Sequence, residues 1–309
     1  MRHMGLIEAM FDSLVERLRE LLPGFGRSLA VDGKEIHTHA RPHKKEPKKA
    51  DGRRDVDADY GMKRYEGERE DGTLWQKVKS WFGYKLHLVV DADWELPVAF
   101  EVTRASASEV PEAHRLVERM EQRHPELLDE CEIFLADRGL DDGKLIERLW
   151  EDHGIKPVID IREMWKDGEP TRLVESTTNV VYDYKGTVFC HCPSTDERYE
   201  MAFGGFKKEG LLSVQWALRF ASRSQRIGAS SPHSRSSYAW QRAYKKRTAV
   251  ERVNSRLDVS FGFEHHFIRG LAKMKLRCCL ALCVMLAMSL GRVKEKQQDK
   301  IRSLVKAAA

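Results

Sequence analysis

Apolar residues recur at helical spacing in some parts of the chain and alternate with polar residues in others. The helical period predicts helices over residues 4–22, 108–124, 142–153, 242–257 and 271–290. Alternation, or a short apolar run between turn residues, predicts strands over residues 28–36, 78–91, 96–103, 132–136 and 155–161. The two strands 78–91 and 96–103 are separated by Asp91-Ala92-Asp93 and are predicted to form a hairpin.

The order of these elements predicts the fold class. Strands and helices follow one another as β, β-β, α, β, α, β, which favours an α/β fold with a mixed sheet flanked by helices. The pattern changes after residue 165, where short β-like pieces replace long periods. We divide the chain into an N-terminal helix (1–27), the first part of the core (28–165, with a charged loop at 37–73), a β-rich insertion (166–240), the C-terminal helices of the core (241–292) and a polar tail (293–309).

Composition and charge narrow the class of protein. The 309 residues are 41% hydrophobic and 33% charged, with a net charge of +5, which is a mild excess. Its distribution matters more, because basic residues concentrate in 41–54 and 242–277, which favours a surface that contacts phosphates. For 41–54 a merely solvated face fits equally well. The apolar run 278–290 is too short to span a bilayer, so no membrane partner is expected.

The cysteines indicate a compartment and raise one alternative. Six cysteines without a regular framework favour a reducing, cytosolic environment. Cys190-His191-Cys192 invites a zinc site, but no second pair of ligands lies nearby in sequence. We favour ordinary strand cysteines and leave zinc open. The absence of a glycine-rich phosphate loop predicts that no nucleotide cofactor is used.

Three acidic residues are candidates for a catalytic metal site. Asp32 lies in an apolar, strand-like run, Asp137 ends another, and Glu251 lies in a basic, helix-patterned stretch. Carboxylates so placed can hold two divalent ions roughly 4 Å apart, which suits attack on a phosphodiester. On a continuous helix, Glu251 shares a face about 80° wide with Arg247 and Asp258. Taken alone, Glu251 also fits a plain surface salt bridge.

These residues fall within motifs that resemble a known family. Val31-Asp32-Gly33-Lys34, Phe82-Gly83-Tyr84-Lys85-Leu86-His87 and Leu135-Ala136-Asp137-Arg138-Gly139 are similar to its strand segments. Tyr244, Arg247 and Glu251 match the spacing of its Tyr-x2-Arg-x3-Glu motif. Over residues 27–292 the chain resembles the DDE transposases of bacterial insertion sequences, which have an RNase H-like catalytic core.

The resemblance implies specific roles. Asp32, Asp137 and Glu251 would be the catalytic residues and would bind two Mg²⁺ ions, for which Mn²⁺ can substitute. Tyr244 and Arg247 would contact DNA phosphates. Arg252 and Arg256 are further DNA-binding candidates. The activity would be strand cleavage and strand transfer, by a homodimer on the element ends and target DNA, in the bacterial cytoplasm and associated with the nucleoid.

Two departures from the family pattern leave alternatives open. Asp258 stands where the family has a lysine that contacts phosphate. About 27 residues precede the first catalytic strand, which are too few for the usual DNA-recognition domain. We expect a truncated copy, and the alternative is that another part of the chain recognises the element ends. The alternatives are an inactive DNA-binding remnant or another RNase H-like nuclease. About 113 residues separate Asp137 from Glu251, which favours a transposase over a compact RNase H.

Overall fold

The fold is built from a mixed sheet, flanking helices and two small sheets. The computed structural model of the chain describes residues 3–41, 55–69, 71, 73–160, 169–174, 178–183, 187–191, 198–201, 203–207, 211–214, 219–221 and 238–303. Its helices are α1 (Met4–Leu21), α2 (Glu109–Arg123), α3 (Pro125–Asp129), α4 (Gly143–Glu147), α5 (Tyr238–Lys245), α6 (Thr248–Val259) and α7 (Leu271–Lys294).

The main sheet combines antiparallel and parallel pairs. Its strands are β1 (Ser28–His37), β2 (Asp59–Glu68), β3 (Leu74–Asp91), β4 (Leu96–Arg104), β5 (Ile133–Ala136) and β6 (Lys156–Ile159). The hydrogen-bonded order is β2-β3-β1-β5-β6, with β4 also on β3. Because β5 pairs parallel with both β1 and β6 while β2 and β4 pair antiparallel with β3, the sheet is mixed. The predicted fold class, an RNase H-like α/β fold, is confirmed.

Short strands occupy the described part of the predicted β-rich insertion. They are β7 (Arg172–Leu173), β8 (Val180–Tyr182), β9 (Val188–His191), β10 (Arg198–Glu200), β11 (Phe203–Lys207), β12 (Leu211–Val214) and β13 (Arg219–Ala221). The first four form one antiparallel sheet and the last three another. Val174, Val180, Val188 and Met201 form a small buried cluster for the first sheet.

The chain divides into two compact units. The first contains residues 1–26, 31–128 and 249–309, and the second contains residues 27–30 and 129–248. Strand β1 begins in the second unit, where its residues Ser28–Ala30 pair with β5, and continues into the first. In the first unit α1 packs on α7. Phe11, Val15 and Leu18 are the buried residues of α1, at the spacing of one helix face.

Helix α7 explains the apolar run near the C-terminus. By length and composition alone, among the described helices, it qualifies as a possible membrane span, but the core helix of a soluble protein meets the same criteria. Its buried residues include Met274, Cys278, Leu282 and Met285, at helical spacing. It packs against α1 and β4 in the first unit, as expected of a core helix.

Two element predictions were wrong. Within the predicted charged loop 37–73, residues 59–68 form β2, and β3 begins at Leu74 rather than at residue 78. Residues 74–80 are exposed, and no regular apolar alternation marks β2, so both segments lack the pattern of a half-buried strand. The predicted helix 242–257 is interrupted, because the N–H groups of Lys246 and Arg247 bond to carbonyls three residues back. The remainder of the basic run, residues 42–54, lies outside the described residues.

Smaller differences concern helix ends. The helix predicted over 142–153 is α4 followed by a π-helical turn over Arg148–Asp152. Asp142 caps α4, because its Oδ1 accepts a hydrogen bond from the N–H of Leu145 at 2.9 Å. The polar tail begins with a 3₁₀ turn over Gln298–Ser303.

Candidate active site

Asp32 lies on β1, within the first unit. It lies two residues after Ala30, which pairs with Leu135 of the parallel strand β5. Its carboxylate Oδ1 accepts a hydrogen bond from the N–H of Gly33 at 2.7 Å. The side chain is half-buried. The backbone contact therefore fixes one carboxylate oxygen of a residue that solvent still reaches.

Asp137 lies just beyond β5, within the second unit. It lies two residues after Leu135. Asp32 and Asp137 thus each lie two residues after one member of the Ala30–Leu135 pair. Its Oδ1 accepts a hydrogen bond from the N–H of Gly139 at 2.8 Å and caps a 3₁₀ turn over Arg138–Leu140. A Cβ at Gly139 would lie 2.8 Å from that oxygen. The glycine thus allows the turn to close on the carboxylate.

Tyr244 and Arg247 also belong to the second unit. The ring of Tyr244 stacks on Trp240, with centroids 4.7 Å apart and planes 11° apart. The guanidinium carbon of Arg247 lies 5.7 Å from the centre of the Tyr244 ring. Burial raises the pKa of Tyr244, and the negative charges of Asp160 and Asp137 add to this effect, while Arg247 opposes it. The phenol is therefore within electrostatic reach of Asp137 and stays protonated.

Glu251 lies in the first turn of α6 and belongs to the first unit. Its side chain is exposed, whereas Val250, Val253 and Leu257 are buried, as the helical pattern predicts. The predicted common face from Arg247 to Asp258 on one helix was wrong, because Arg247 precedes α6. The turn at Lys246 and Arg247 therefore separates the tyrosine and arginine of the motif from its glutamate.

Arg252 and Arg256 both bind one buried carboxylate. The Nε of Arg252 lies 2.6 Å from Glu95 Oε1, and an Nη of Arg256 lies 2.8 Å from Glu95 Oε2. Glu95 lies in the β3–β4 turn with a positive φ of 57°. Burial lowers the pKa of Arg256, and the Glu95 charge opposes this shift. The two arginines thus fasten α6 to the turn, while DNA contact by either one stays a prediction.

Asp258 forms an ion pair within the first unit. Its Oδ2 lies 2.5 Å from the Nζ of Lys34, and both side chains are mostly buried. Lys34 is two residues after Asp32 and so faces the same side of β1. Asp258 stands where the family has a lysine, and Lys34 of the Val31–Lys34 motif neutralises its charge.

The family follows from a comparison of the whole chain with known families. The transposase DDE domain family matches residues 23–287, which is most of the chain. The chain belongs to this transposase family. No curated protein and no solved structure matches it significantly. The match covers all three acids and both units, so it extends through the described strands of the insertion.

Three charged residues of the transposase lie around β1, and sequence reasoning assigned none of them a role. Lys63 of β2 donates to the carbonyl of Gly33 at 3.3 Å and lies 4.0 Å from Glu109. Lys85 lies 3.3 Å from the same glutamate. Burial acts to lower the pKa of Lys63, but the carboxylates of Glu109, Asp32 and Glu35 outweigh it and raise the pKa. Lys63 could not be assigned to a strand from sequence, because residues 37–73 were interpreted as a charged loop.

The part of the chain that the structure describes presents no ready metal site. Within the described ranges, no group of three or more His, Cys, Asp or Glu residues is placed to hold a metal ion. For zinc, Cys190 accepts a weak hydrogen bond from Asn179 at 3.6 Å and packs against the small cluster of β8 and β9. Cys192, the other cysteine of the zinc alternative, lies outside the described residues.

Proposed function

We propose that this transposase cuts a DNA strand and joins the 3′ end to target DNA, in a reaction that requires divalent metal ions. The observation that carries the proposal is the family match, because residues 23–287 contain Asp32, Asp137 and Glu251. The strand register supports it, since Asp32 and Asp137 stand at equal offsets from the pair Ala30 and Leu135.

The proposed metal ligands suit the proposed ions in their chemistry. Asp32, Asp137 and Glu251 offer carboxylate oxygens, which Mg²⁺ and Mn²⁺ prefer. Two bound ions would supply activation of the attacking water or 3′-hydroxyl and stabilisation of the leaving oxygen. Backbone N–H groups already orient one oxygen each of Asp32 and Asp137. These two backbone contacts restrict the rotation of the Asp32 and Asp137 carboxylates.

The cationic residues would act on the DNA. Arg247 and Tyr244 would contact phosphate near the cleaved bond, and Arg247 has the geometry for two hydrogen bonds to one phosphate. Arg252 is about half exposed, so it can contact DNA while its Nε stays on Glu95. Arg256 is more enclosed and would act on DNA chiefly by holding α6.

The first test is cleavage of supercoiled plasmid by the purified chain with Mg²⁺ or Mn²⁺. Asp32→Asn, Asp137→Asn and Glu251→Gln should each lower the nicking rate by about a hundredfold or more, because each removes a charge needed in the transition state. Asp141→Asn is the matched control, since Asp141 is a neighbouring acid with no proposed ligand role. It should cut at nearly the wild-type rate.

The outcomes separate the proposal from its alternatives. Nicking that survives all three substitutions would overturn the assignment of the acids. DNA binding without any nicking by the wild type would favour an inactive binding protein. Nicking without joining of a precut 3′ end would favour another RNase H-like nuclease.

Two further properties accompany the proposed function. A transposase of this family is expected in the cytoplasm, and we propose that it associates with the nucleoid through its DNA substrate. We also propose that it acts as a homodimer on paired element ends. Sedimentation of the chain with and without a DNA end would test this, and a single protomer on DNA at all concentrations would contradict it.

A further inference from the structure

The strands β2 and β3 form a long two-stranded ribbon in the first unit. They pair antiparallel from Asp59 with Gly83 to Glu68 with Leu74. Strand β4 pairs with β3 only from Tyr84 onwards. Residues 74–80 are all exposed. The ribbon is thus a part of the main sheet that extends beyond β4, where solvent or a partner can reach residues 74–80.

The two faces of the ribbon differ in character. Residues directly opposite each other share a face, so one face combines the pairs Lys63–Lys79, Tyr65–Lys77 and Gly67–Trp75. We call these six residues the lysine face. None of the six is acidic, whereas the apolar Leu74 and Val78 stand at the alternate positions of β3. The face is thus basic and aromatic together.

Trp75 is held flat on the ribbon by the glycine opposite it. A Cβ built on Gly67 would lie 2.7 Å from ring atoms of Trp75, so the indole occupies the place that a side chain would take. Trp81 covers Gly61 in the same way but is buried. Trp75 remains 38% exposed. Its indole is therefore a preset aromatic platform in contact with solvent.

The base of the lysine face adjoins the strand of the first catalytic acid. Lys79 lies 2.6 Å from Glu35 of β1, and Lys63 donates to the carbonyl of Gly33, next to Asp32. These contacts fix two lysines near β1, while Lys77 lies farther along the ribbon. Side chains on one face of a strand repeat about every 6.6 Å, so the cations form a row that leads away from Asp32.

We propose that the lysine face binds the DNA substrate, with Lys77 and Lys79 on backbone phosphates and Trp75 stacked on a base or deoxyribose. Cations supply most of the affinity for a phosphate backbone, and aromatic rings stack on exposed bases of any sequence. A second copy of the same basic face would be repelled, so charge favours a polyanion. This inference rests on the proposed function, because it takes the substrate to be DNA.

The test measures binding of a fluorescent DNA duplex with a single-stranded 3′ extension, by anisotropy in Ca²⁺ so that no strand is cut. Lys77→Glu and Trp75→Ala should each weaken binding about fivefold or more. Arg64→Glu and Leu74→Ala are matched controls, because they make similar changes at the alternate ribbon positions. Both controls should bind within about twofold of the wild type. Lys77→Ala should reduce the slope of the logarithm of the binding constant against the logarithm of the salt concentration by about one.

The binding test decides the inference about the lysine face, and the nicking assay decides the proposed function. Equal losses in the variants and their controls would overturn it, as would wild-type affinity in Lys77→Glu. A change of oligomeric state in Trp75→Ala with unchanged DNA affinity would make the face a protein interface and also overturn it. The nicking assay with Asp32→Asn fails or succeeds independently, since it leaves the ribbon intact. Far-ultraviolet circular dichroism confirms that each variant is folded.

Discussion

At the scale of single residues, the ion pair between Lys34 and Asp258 explains a departure from the family pattern. An acid at position 258 would repel DNA if it were exposed, but its Oδ2 lies 2.5 Å from Lys34 Nζ. Lys34 belongs to the motif that also contains Asp32. The ion pair therefore links β1, which carries Asp32, to α6, which carries Glu251.

The pair gives a prediction about stability. Lys34→Met or Asp258→Leu alone should lower the free energy of unfolding by about 1.5–3 kcal/mol, because each leaves a mostly buried charge without its partner. The double substitution should cost less than the sum of the two. Urea denaturation of the four proteins measures this, and strictly additive losses would show that the two charges do not interact.

At the scale of elements, Glu95 determines how α6 is held. The helix carries Glu251 on its exposed side and is fastened to the β3–β4 turn through Arg252 and Arg256. The turn places Glu95 at a positive φ, a conformation that costs a non-glycine residue some energy. That cost is tolerated where a carboxylate binds two guanidinium groups at once.

The tether gives a prediction for activity as well as stability. Glu95→Gln should lower the free energy of unfolding by about 1.5–3 kcal/mol and slow Mg²⁺-dependent nicking, since α6 loses both ion pairs. Glu118→Gln, the same chemical change at an exposed position of α2, is the control and should change neither. Nicking at the wild-type rate in a clearly destabilised Glu95→Gln protein would show that the tether does not position Glu251.

At the scale of the whole molecule, β1 joins two compact units. Its residues Ser28–Ala30 pair with β5, although almost all other residues of that unit follow residue 128. A fragment of residues 129–248 should therefore fold poorly, because β5 would lose one of its two neighbours. A two-dimensional amide spectrum of this fragment beside the full chain tests the prediction. Well-dispersed signals from the fragment would contradict it.

Much of this organisation could be predicted from the sequence. Buried strands such as β5 and amphipathic helices such as α2 carry clear periodicity, so the α/β class and the order of the core elements other than β2 and α3 followed from pattern. The ribbon could not be predicted, since its exposed strands alternate no apolar residues and are stabilised by cross-strand pairs such as Gly67 and Trp75. The helix break before α6 was also hidden, because Lys246 and Arg247 are good helix formers.

The proposed acids could be selected from sequence, but their partners could not. Asp32, Asp137 and Glu251 stand in recognisable motifs that depend only on order and spacing. The contacts of Asp258 with Lys34 and of Glu95 with Arg256 join residues more than 150 positions apart. Such pairs depend on tertiary structure, so neither spacing nor periodicity indicates them.

The break between α5 and α6 lies inside the Tyr-x2-Arg-x3-Glu motif, and a boundary between the two units falls there as well. Arg247 ends in one compact unit and Glu251 in the other, with only three residues between them. Four residue steps of extended chain span at most about 14 Å, whatever the two units do. The covalent chain therefore limits how far the α-carbons of the proposed phosphate-contacting arginine and of the proposed catalytic glutamate can lie from each other.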